Sequence, residues 1–147
     1  MEKKDLVKLI DEKFSTLGFK RKANNWIFNN AELSKVINLQ KSNFGNFFYI
    51  NYGFIILKLE LTTTTHFEKR LGSVNKMEQK RITDLLDLSN DLDDNERLLE
   101  LNKLLSDQIV SDFQKINTED DLLRELKKLK SLNAVLLIVK KYFNLTE

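Results

Sequence analysis

The chain has 147 residues, of which 41% are hydrophobic and 31% charged, with 24 Lys and Arg against 22 Asp and Glu. This length and balance indicate a folded domain and exclude a disordered chain. Without cysteine and with one histidine, the sequence excludes disulfides and thiolate metal sites, and we expect no metal and no cofactor. The N-terminus is charged and the longest aliphatic run, 134–139, is short, so we expect a cytoplasmic protein without a signal peptide or membrane span.

The charges are segregated along the chain. Residues 82–121 hold 12 Asp and Glu but only 3 Lys and Arg, whereas residues 1–81 hold 15 Lys and Arg and 8 Asp and Glu. A surface of one sign steers association with an oppositely charged partner. The acidic middle of the chain is therefore a candidate interaction surface.

The N-terminal half predicts a helix followed by a sheet. Residues 2–17 place apolar side chains at helical spacing, and Gly18 after them suits a left-handed C-cap. Apolar and aromatic stretches separated by asparagine-rich turns then predict four strands, at 19–22, 26–28, 33–42 and 47–57. The last two strands form the expected central hairpin, and we expect 58–65 to extend it. Gly53 predicts a bulge or the close approach of another element.

The C-terminal half predicts helices after a polar, irregular segment. An acidic loop at 91–95 begins a helix whose apolar stripe runs to Phe113. Thr118, followed by three acidic residues, predicts the N-cap of the next helix. Asn133 predicts the cap of a last, largely buried helix over 134–143.

Together these elements predict an α+β fold. A small antiparallel sheet of about four to five strands, connected as a meander, packs with an N-terminal helix and C-terminal helices. We expect a single domain over residues 1–147, with a sheet-rich half at 1–72 and an acidic, helical half at 73–147.

A row of polar side chains is the first candidate site. Strand alternation places Asn38, Gln40 and Ser42 on one face, with Asn51 on the neighbouring strand. With His66 and Arg70, these residues form the possible polar site. Such a row can present hydrogen-bond donors and acceptors to a ligand or a partner loop. The alternative is a solvated face of the sheet.

His66 is the residue on which an enzyme would have to rely. Histidine is the side chain that most often transfers protons near neutral pH, and Glu68 and Arg70 follow it closely. No phosphate loop, paired-histidine motif or nucleophile elbow accompanies it. A lone histidine is more often structural, so we assign no catalytic residue and favour a protein without enzymatic activity.

A group of basic and aromatic residues is the candidate surface for nucleic acid, because cations attract phosphate and rings stack on bases. The alternative is that its lysines keep sheet edges from pairing with other chains. This basic group comprises Lys20, Arg21, Lys22, Trp26, Phe28, Lys35, Lys41 and Phe44.

The acidic segment, defined as residues 84–100, is the preferred surface for a protein partner. Residues 91–95 within this segment are similar to a calcium loop but lack the glycine and the terminal glutamate of that loop. It is either a solvated loop or a surface that captures a basic protein. The predicted contact residues are Asp84, Asp87, Asp91, Asp93, Asp94, Glu96 and Glu100. We expect this surface to lie apart from the central hairpin and its polar row.

The order of several landmarks resembles a known family. The landmarks are Gly18-Phe19-Lys20, Trp26, Asn38-Leu39-Gln40-Lys41-Ser42, Phe48-Tyr49-Ile50-Asn51-Tyr52-Gly53, His66 and Arg70-Leu71-Gly72. They resemble the bacterial domain-of-unknown-function family 4304, chiefly over residues 5–75. The chain departs from the family at Thr65, where a Cys is common, and at Asp84-Leu85-Leu86, where a second Trp is usual.

The resemblance implies an α+β fold and no established activity. Because some relatives are encoded near toxin genes, it also implies an immunity-type role, in which a non-enzymatic protein neutralises a bacterial toxin by occlusion. We therefore expect a basic toxin domain as partner of the acidic segment. Nucleic-acid binding through the basic group is the alternative, and an enzyme centred on His66 is the third hypothesis.

Overall fold

The computed structural model describes residues 1–146 and has a five-stranded antiparallel sheet at its centre. Each strand pairs with the one before it, so the sheet is a simple meander. The predicted α+β fold is confirmed. In order across the sheet, the strands are β1 (Lys20–Lys22), β2 (Asn25–Asn29), β3 (Leu33–Lys41), β4 (Phe48–Ile56) and β5 (Phe67–Arg70).

One helix precedes the sheet and the others follow it. A π-helical turn, Leu105–Val110, joins α3 to α4 in one continuous helical segment. No helix among residues 1–146 has the length and apolar character needed to cross a bilayer. The α-helices are α1 (Lys3–Ser15), α2 (Lys76–Leu85), α3 (Asp94–Leu104), α4 (Ser111–Lys115), α5 (Glu119–Lys127) and α6 (Leu137–Tyr142).

The caps of α3 and α5 lie where the sequence predicts them. The Asp93 side chain accepts a hydrogen bond from the Glu96 amide at the start of α3. Thr118 and Asp121 form a reciprocal capping box at the start of α5. The polar side chains that cap these two helices lie within the acidic part of the chain. Part of its negative charge therefore stabilises helix N-termini.

The core lies between the helices and one face of the sheet. Phe113 of α4 is central to it, with its ring 5.4 Å from Phe19, 5.7 Å from Tyr52 and 5.5 Å from Phe54, measured between centroids. Most of these contacts are edge-to-face, an arrangement that stabilises aromatic pairs by about 0.5–1.5 kcal/mol beyond their burial. The ring of Phe14 in α1 also packs against Phe113.

Gly53 allows β5 to pack against β4. A Cβ atom at Gly53 would lie 2.4 Å from the carbonyl oxygen of Phe67. Only a residue without a side chain permits this approach, which confirms the close approach predicted for Gly53.

The prediction for 58–65 is wrong, because this segment forms turns and bends and the next strand begins only at Phe67. The threonines have strand propensity but no partner strand, and Thr63 instead bonds to the carbonyl of Thr65. β5 was missed because it is a short edge strand with three exposed residues, so it has little apolar alternation.

Two helix predictions also need correction. The segment predicted as irregular contains α2, which Asn75 caps and which buries only Ile82 and Leu85. Its apolar stripe is too narrow to stand out in the sequence. The last helix begins at Leu137 and lacks a side-chain cap, so the predicted cap at Asn133 is wrong.

Candidate functional site

The predicted polar face is present and extends across four strands. The register places Asn25 opposite Asn38, Asn38 opposite Asn51, and Asn51 opposite Arg70. Gln40 follows Asn38 on the same face of β3. We call these five residues the polar row.

Hydrogen bonds connect the polar row into one network. Asn38 Nδ2 donates to Asn25 Oδ1 at 3.0 Å, and Asn51 Nδ2 donates to Gln40 Oε1 at 2.9 Å. Arg70 Nε donates to Asn51 Oδ1 at 2.9 Å. Asn51, which is 6% exposed, is therefore held from both sides. The network fixes the orientation of each amide, because every amide oxygen in it has a donor.

The polar row borders a shallow cavity of about 270 Å³ under Thr64 and Thr65. The Arg70 guanidinium lies 4.0 Å from the ring centroid of Tyr49, and this contact keeps it flat against the sheet. The row offers amide and guanidinium N–H donors at its edges. Its members can bind polar groups, but none of them is a nucleophile.

His66 and Ser42 lie outside the polar row. The Ile56 amide donates to His66 Nδ1 at 2.8 Å, so Nε2 must carry the ring proton, which it donates to the Glu60 carbonyl at 2.7 Å. The Nε2 bond thus holds the 57–65 loop, and the Nδ1 bond attaches the ring to the end of β4. Ser42 Oγ accepts from the Phe44 amide in the hairpin turn. No hydrogen bond links His66 to Glu68 among residues 1–146.

The basic group does not form one surface. Trp26 is fully buried and its indole N–H donates to Asp11, so it cannot stack on a base. Lys35 points into the core side of the sheet. Lys20, Arg21 and Lys22 remain exposed on the edge strand β1. Phe28 is half-buried, and Lys41 and Phe44 lie exposed at the far end of β3.

Strand alternation in the sequence indicates the position of Lys35. Lys35 is separated by an even number of residues from the apolar Leu33, Ile37 and Leu39 of β3. Side chains two residues apart share a face of a strand. The alternation therefore predicts a buried lysine, and the structure contains one.

Several carboxylates of the acidic segment have partners within the chain. Asp84 pairs with Lys80, Asp94 lies 3.7 Å from the N-terminal amine, and Glu100 pairs with Arg81. The bond from Arg81 lowers the pKa of Glu100. Hydrogen bonds from Ser89 lower the pKa of Asp87.

Asp91 and Glu96 are exposed, and the carboxylate of neither makes a hydrogen bond or ion pair with residues 1–146. The described residues contain no group of three or more acidic or histidine side chains placed to bind a metal ion. The free charge of the acidic segment is therefore concentrated in the loop and in the first turn of α3.

Arg97 organises the loop of the acidic segment from inside. Its guanidinium is buried and donates to the carbonyls of Asp84, Leu85 and Asp87 and to the Asn90 side chain. A cation at the end of α2 satisfies carbonyls that have no partner in the helix. The acidic loop consequently has a defined conformation.

The acidic segment adjoins the central hairpin, contrary to the predicted separation. Phe47 forms an isolated antiparallel bridge with Asp87, the Phe48 amide donates to the Leu86 carbonyl, and the Leu88 amide donates to the Asn46 carbonyl. The hairpin tip, residues 43–47, therefore packs beside 86–88. Phe44 at this tip is 94% exposed.

A cavity of about 580 Å³, which was not predicted from the sequence, lies between α2 and the helical segment that contains the π-turn. At its wall, Asp112 Oδ2 accepts hydrogen bonds from Tyr52 at 2.6 Å and Lys69 at 2.8 Å. Gln108 donates to the Tyr52 oxygen. Burial and the bond to Asp112 raise the pKa of Tyr52 well above its ordinary value. The sequence has no signature for a π-turn, which is often found at functional sites.

A five-stranded antiparallel meander, with its core on one face and a hydrogen-bonded polar row on the other, defines this protein as an α+β domain with polar and acidic surfaces. Residues 10–115 match the family described as a domain of unknown function, DUF4304, and the chain belongs to that family. The resemblance seen in the sequence is confirmed. Comparison with curated proteins and with solved structures found no significant match.

Proposed function

We propose that this protein is a non-enzymatic binding protein of the immunity type, which neutralises a basic toxin domain by occluding its active surface. The observation that carries the proposal is the bridge between Phe47 and Asp87, which places the hairpin tip that carries the exposed Phe44 beside residues 86–88 of the acidic segment. An aromatic anchor within a charged rim is the usual composition of a protein interface.

Charge supports a basic partner. The Asp91 and Glu96 side chains form no ion pair among residues 1–146, although Arg81 lies close enough to interact electrostatically with Glu96, and Asp93 is occupied only by helix capping. Exposed carboxylates of this kind accelerate association with a cationic surface. Arg97 is buried beneath the loop, so its charge is directed at backbone carbonyls and not at a partner.

The fixed conformation of the hairpin tip and the adjoining acidic loop also supports this surface as the binding site. The tip and the loop are tied by backbone hydrogen bonds of 3.0 Å from Phe48 to Leu86 and 2.9 Å from Leu88 to Asn46. A surface that is ordered before binding loses less conformational entropy when it binds.

Nucleic-acid binding has weaker support. The exposed cations Lys20, Arg21 and Lys22 lie on β1, which is an edge strand of the sheet. Lysine on an edge strand also protects the sheet against aggregation. Trp26, the ring expected to stack on bases, is buried. We therefore propose a protein partner and keep nucleic acid as an outcome of the test.

The test uses the products of genes adjacent to the one that encodes this protein. Each neighbour is co-expressed with the wild type and with Phe44→Ser, and both cell survival and co-purification are measured. A toxic neighbour should be neutralised and retained by the wild type. Phe44→Ser should weaken binding by about 30-fold, the effect of losing an aromatic hot spot of about 2 kcal/mol.

Two further variants separate the contributions. Asp91→Lys with Glu96→Lys should slow association and reduce its salt dependence, because rim charges act mainly on the association rate. Leu137→Ser, a distant exposed apolar residue, is the control for Phe44→Ser and should bind as the wild type does. The proposal fails if no neighbour binds, if Phe44→Ser binds as tightly as the wild type, or if the protein retards RNA or DNA instead.

A further inference from the structure

A second cavity, of about 330 Å³, lies on the core side of the sheet beside Lys35. Its walls include the rings of Phe19, Phe28 and Phe113 and the side chain of Asn117. Small-molecule sites in proteins have volumes of about 300–1,000 Å³ and are lined mainly by apolar and aromatic side chains with a few polar groups. This cavity has that size and composition.

Lys35 places an ammonium group at the wall of this cavity. Its Nζ donates to the Phe113 carbonyl at 2.5 Å and to Asn117 Oδ1 at 2.6 Å. It also lies 5.7 Å from the ring centroid of Phe28 and 6.0 Å from that of Phe113. All three of these neighbours line the cavity, so the ammonium group must be at its surface.

The ammonium group is incompletely satisfied. Lys35 is only 6% exposed, and no carboxylate of residues 1–146 lies within ion-pair distance of it. An ammonium group has three N–H donors, of which the protein occupies two. Burial lowers the pKa of Lys35, and the charge of the more distant Asp121 offsets this effect only in part. The site therefore has one N–H without a protein acceptor and a positive charge without a contacting carboxylate.

A purely structural role explains only part of this arrangement. The bond to Phe113 satisfies a carbonyl near the end of α4, which is a favourable place for a cation. Such a cap requires neither the cavity nor the third donor. An apolar side chain of similar length, such as methionine, would fill the space without the cost of a buried charge.

We propose that the cavity beside Lys35 binds a small aromatic monocarboxylate. The carboxylate accepts the free N–H of Lys35 and supplies the missing counter-charge. The aromatic body packs against Phe19 and Phe28, whose ring centroids are 5.6 Å apart. The single cation selects one carboxylate, and the apolar walls disfavour a second polar group.

The test compares phenylacetate with phenylacetamide, its neutral isostere, by calorimetry and by NMR of the aromatic resonances at pH 7. Wild-type protein should bind phenylacetate saturably, with a Kd of about 1 mM or below. It should bind phenylacetamide at least about 10-fold more weakly, because the amide supplies no counter-charge. This comparison needs no variant and is independent of any folding defect.

Two variants test whether Lys35 is responsible for the binding of phenylacetate. Lys35→Met should raise the Kd for phenylacetate by at least about 10-fold. Lys41→Met removes an exposed lysine from the same strand and should bind as the wild type does. The proposal is overturned if phenylacetate shows no saturable binding, if the amide binds equally well, or if Lys35→Met binds as the wild type does. Each of these outcomes is independent of the partner experiments, because Phe44 lies at the far end of β3 from this cavity.

Discussion

Gly53→Ala is expected to destabilise the protein by about 2–5 kcal/mol. The new Cβ would lie 2.4 Å from the Phe67 carbonyl oxygen and 3.0 Å from the Glu68 Cα, whereas ordinary contacts begin at 3.4 Å. Both atoms are backbone, so β5 itself must move by about 1 Å. Overpacking of this kind costs about 1–3 kcal/mol, and each ladder hydrogen bond that lengthens beside the Gly53–Glu68 pair adds about 1 kcal/mol.

Urea unfolding followed by circular dichroism measures this cost. With a slope of about 1–3 kcal/mol per molar urea, the midpoint should fall by about 1 M or more. Gly45→Ala is the matched control, because its Cβ would meet only the movable Phe47 ring at 3.2 Å, and its effect should stay within about 0.5 kcal/mol. If the two variants unfold at the same midpoint, the close approach of β5 does not constrain residue 53.

Three other substitutions test the network around the sheet. The contribution of Tyr52 to stability should be constant below pH 10 and fall above it, because the pKa of Tyr52 is raised above 10.0 in the folded state only. Urea unfolding above pH 10 should therefore show a smaller fall in stability for Tyr52→Phe than for the wild type. Asn51→Ala removes a buried hub of the polar row and should lower the free energy of unfolding by about 1–3 kcal/mol, measured by urea unfolding. His66→Ala removes the bond to Glu60 in the 57–65 loop and the bond to Ile56 at the end of β4, so trypsin should cleave after Lys58 faster than in the wild type.

The central hairpin and its polar face could be predicted from the sequence because strand alternation is a local property. Asn38 and Asn51 were assigned to one face without knowledge of any partner. The full row could not be predicted. Asn25 joins it only through the pairing of β2 with β3, and Arg70, although predicted as part of the possible polar site, is placed opposite Asn51 by the pairing of β5 with β4. That pairing depends on Gly53 and on the loop held by His66, which are separated from one another in the sequence.

The acidic segment shows the limit of counting charges along a chain. Its negative excess predicts an exposed acidic surface, but the count treats Arg97 as one more surface residue. In the structure Arg97 is buried and bonds to carbonyls, while Arg81 and Lys80 from α2 pair with members of the segment. These partners come from other turns and helices, so only the fold identifies Asp91 and Glu96 as the free charges.

The two long strands of the hairpin carry both proposals, and their geometry keeps the two apart. Phe44 extends beyond the end of β3, while Lys35 lies near its start with its side chain on the core face. β3 is hydrogen-bonded to a neighbour along both edges, so a ligand at one end has no hinge through which to move the other. Phe44→Ser should therefore leave phenylacetate binding unchanged, and Lys35→Met should leave partner binding unchanged. If either substitution changes binding at the other site, the two sites are coupled. The sheet would then have to adopt two conformations, between which the hairpin moves.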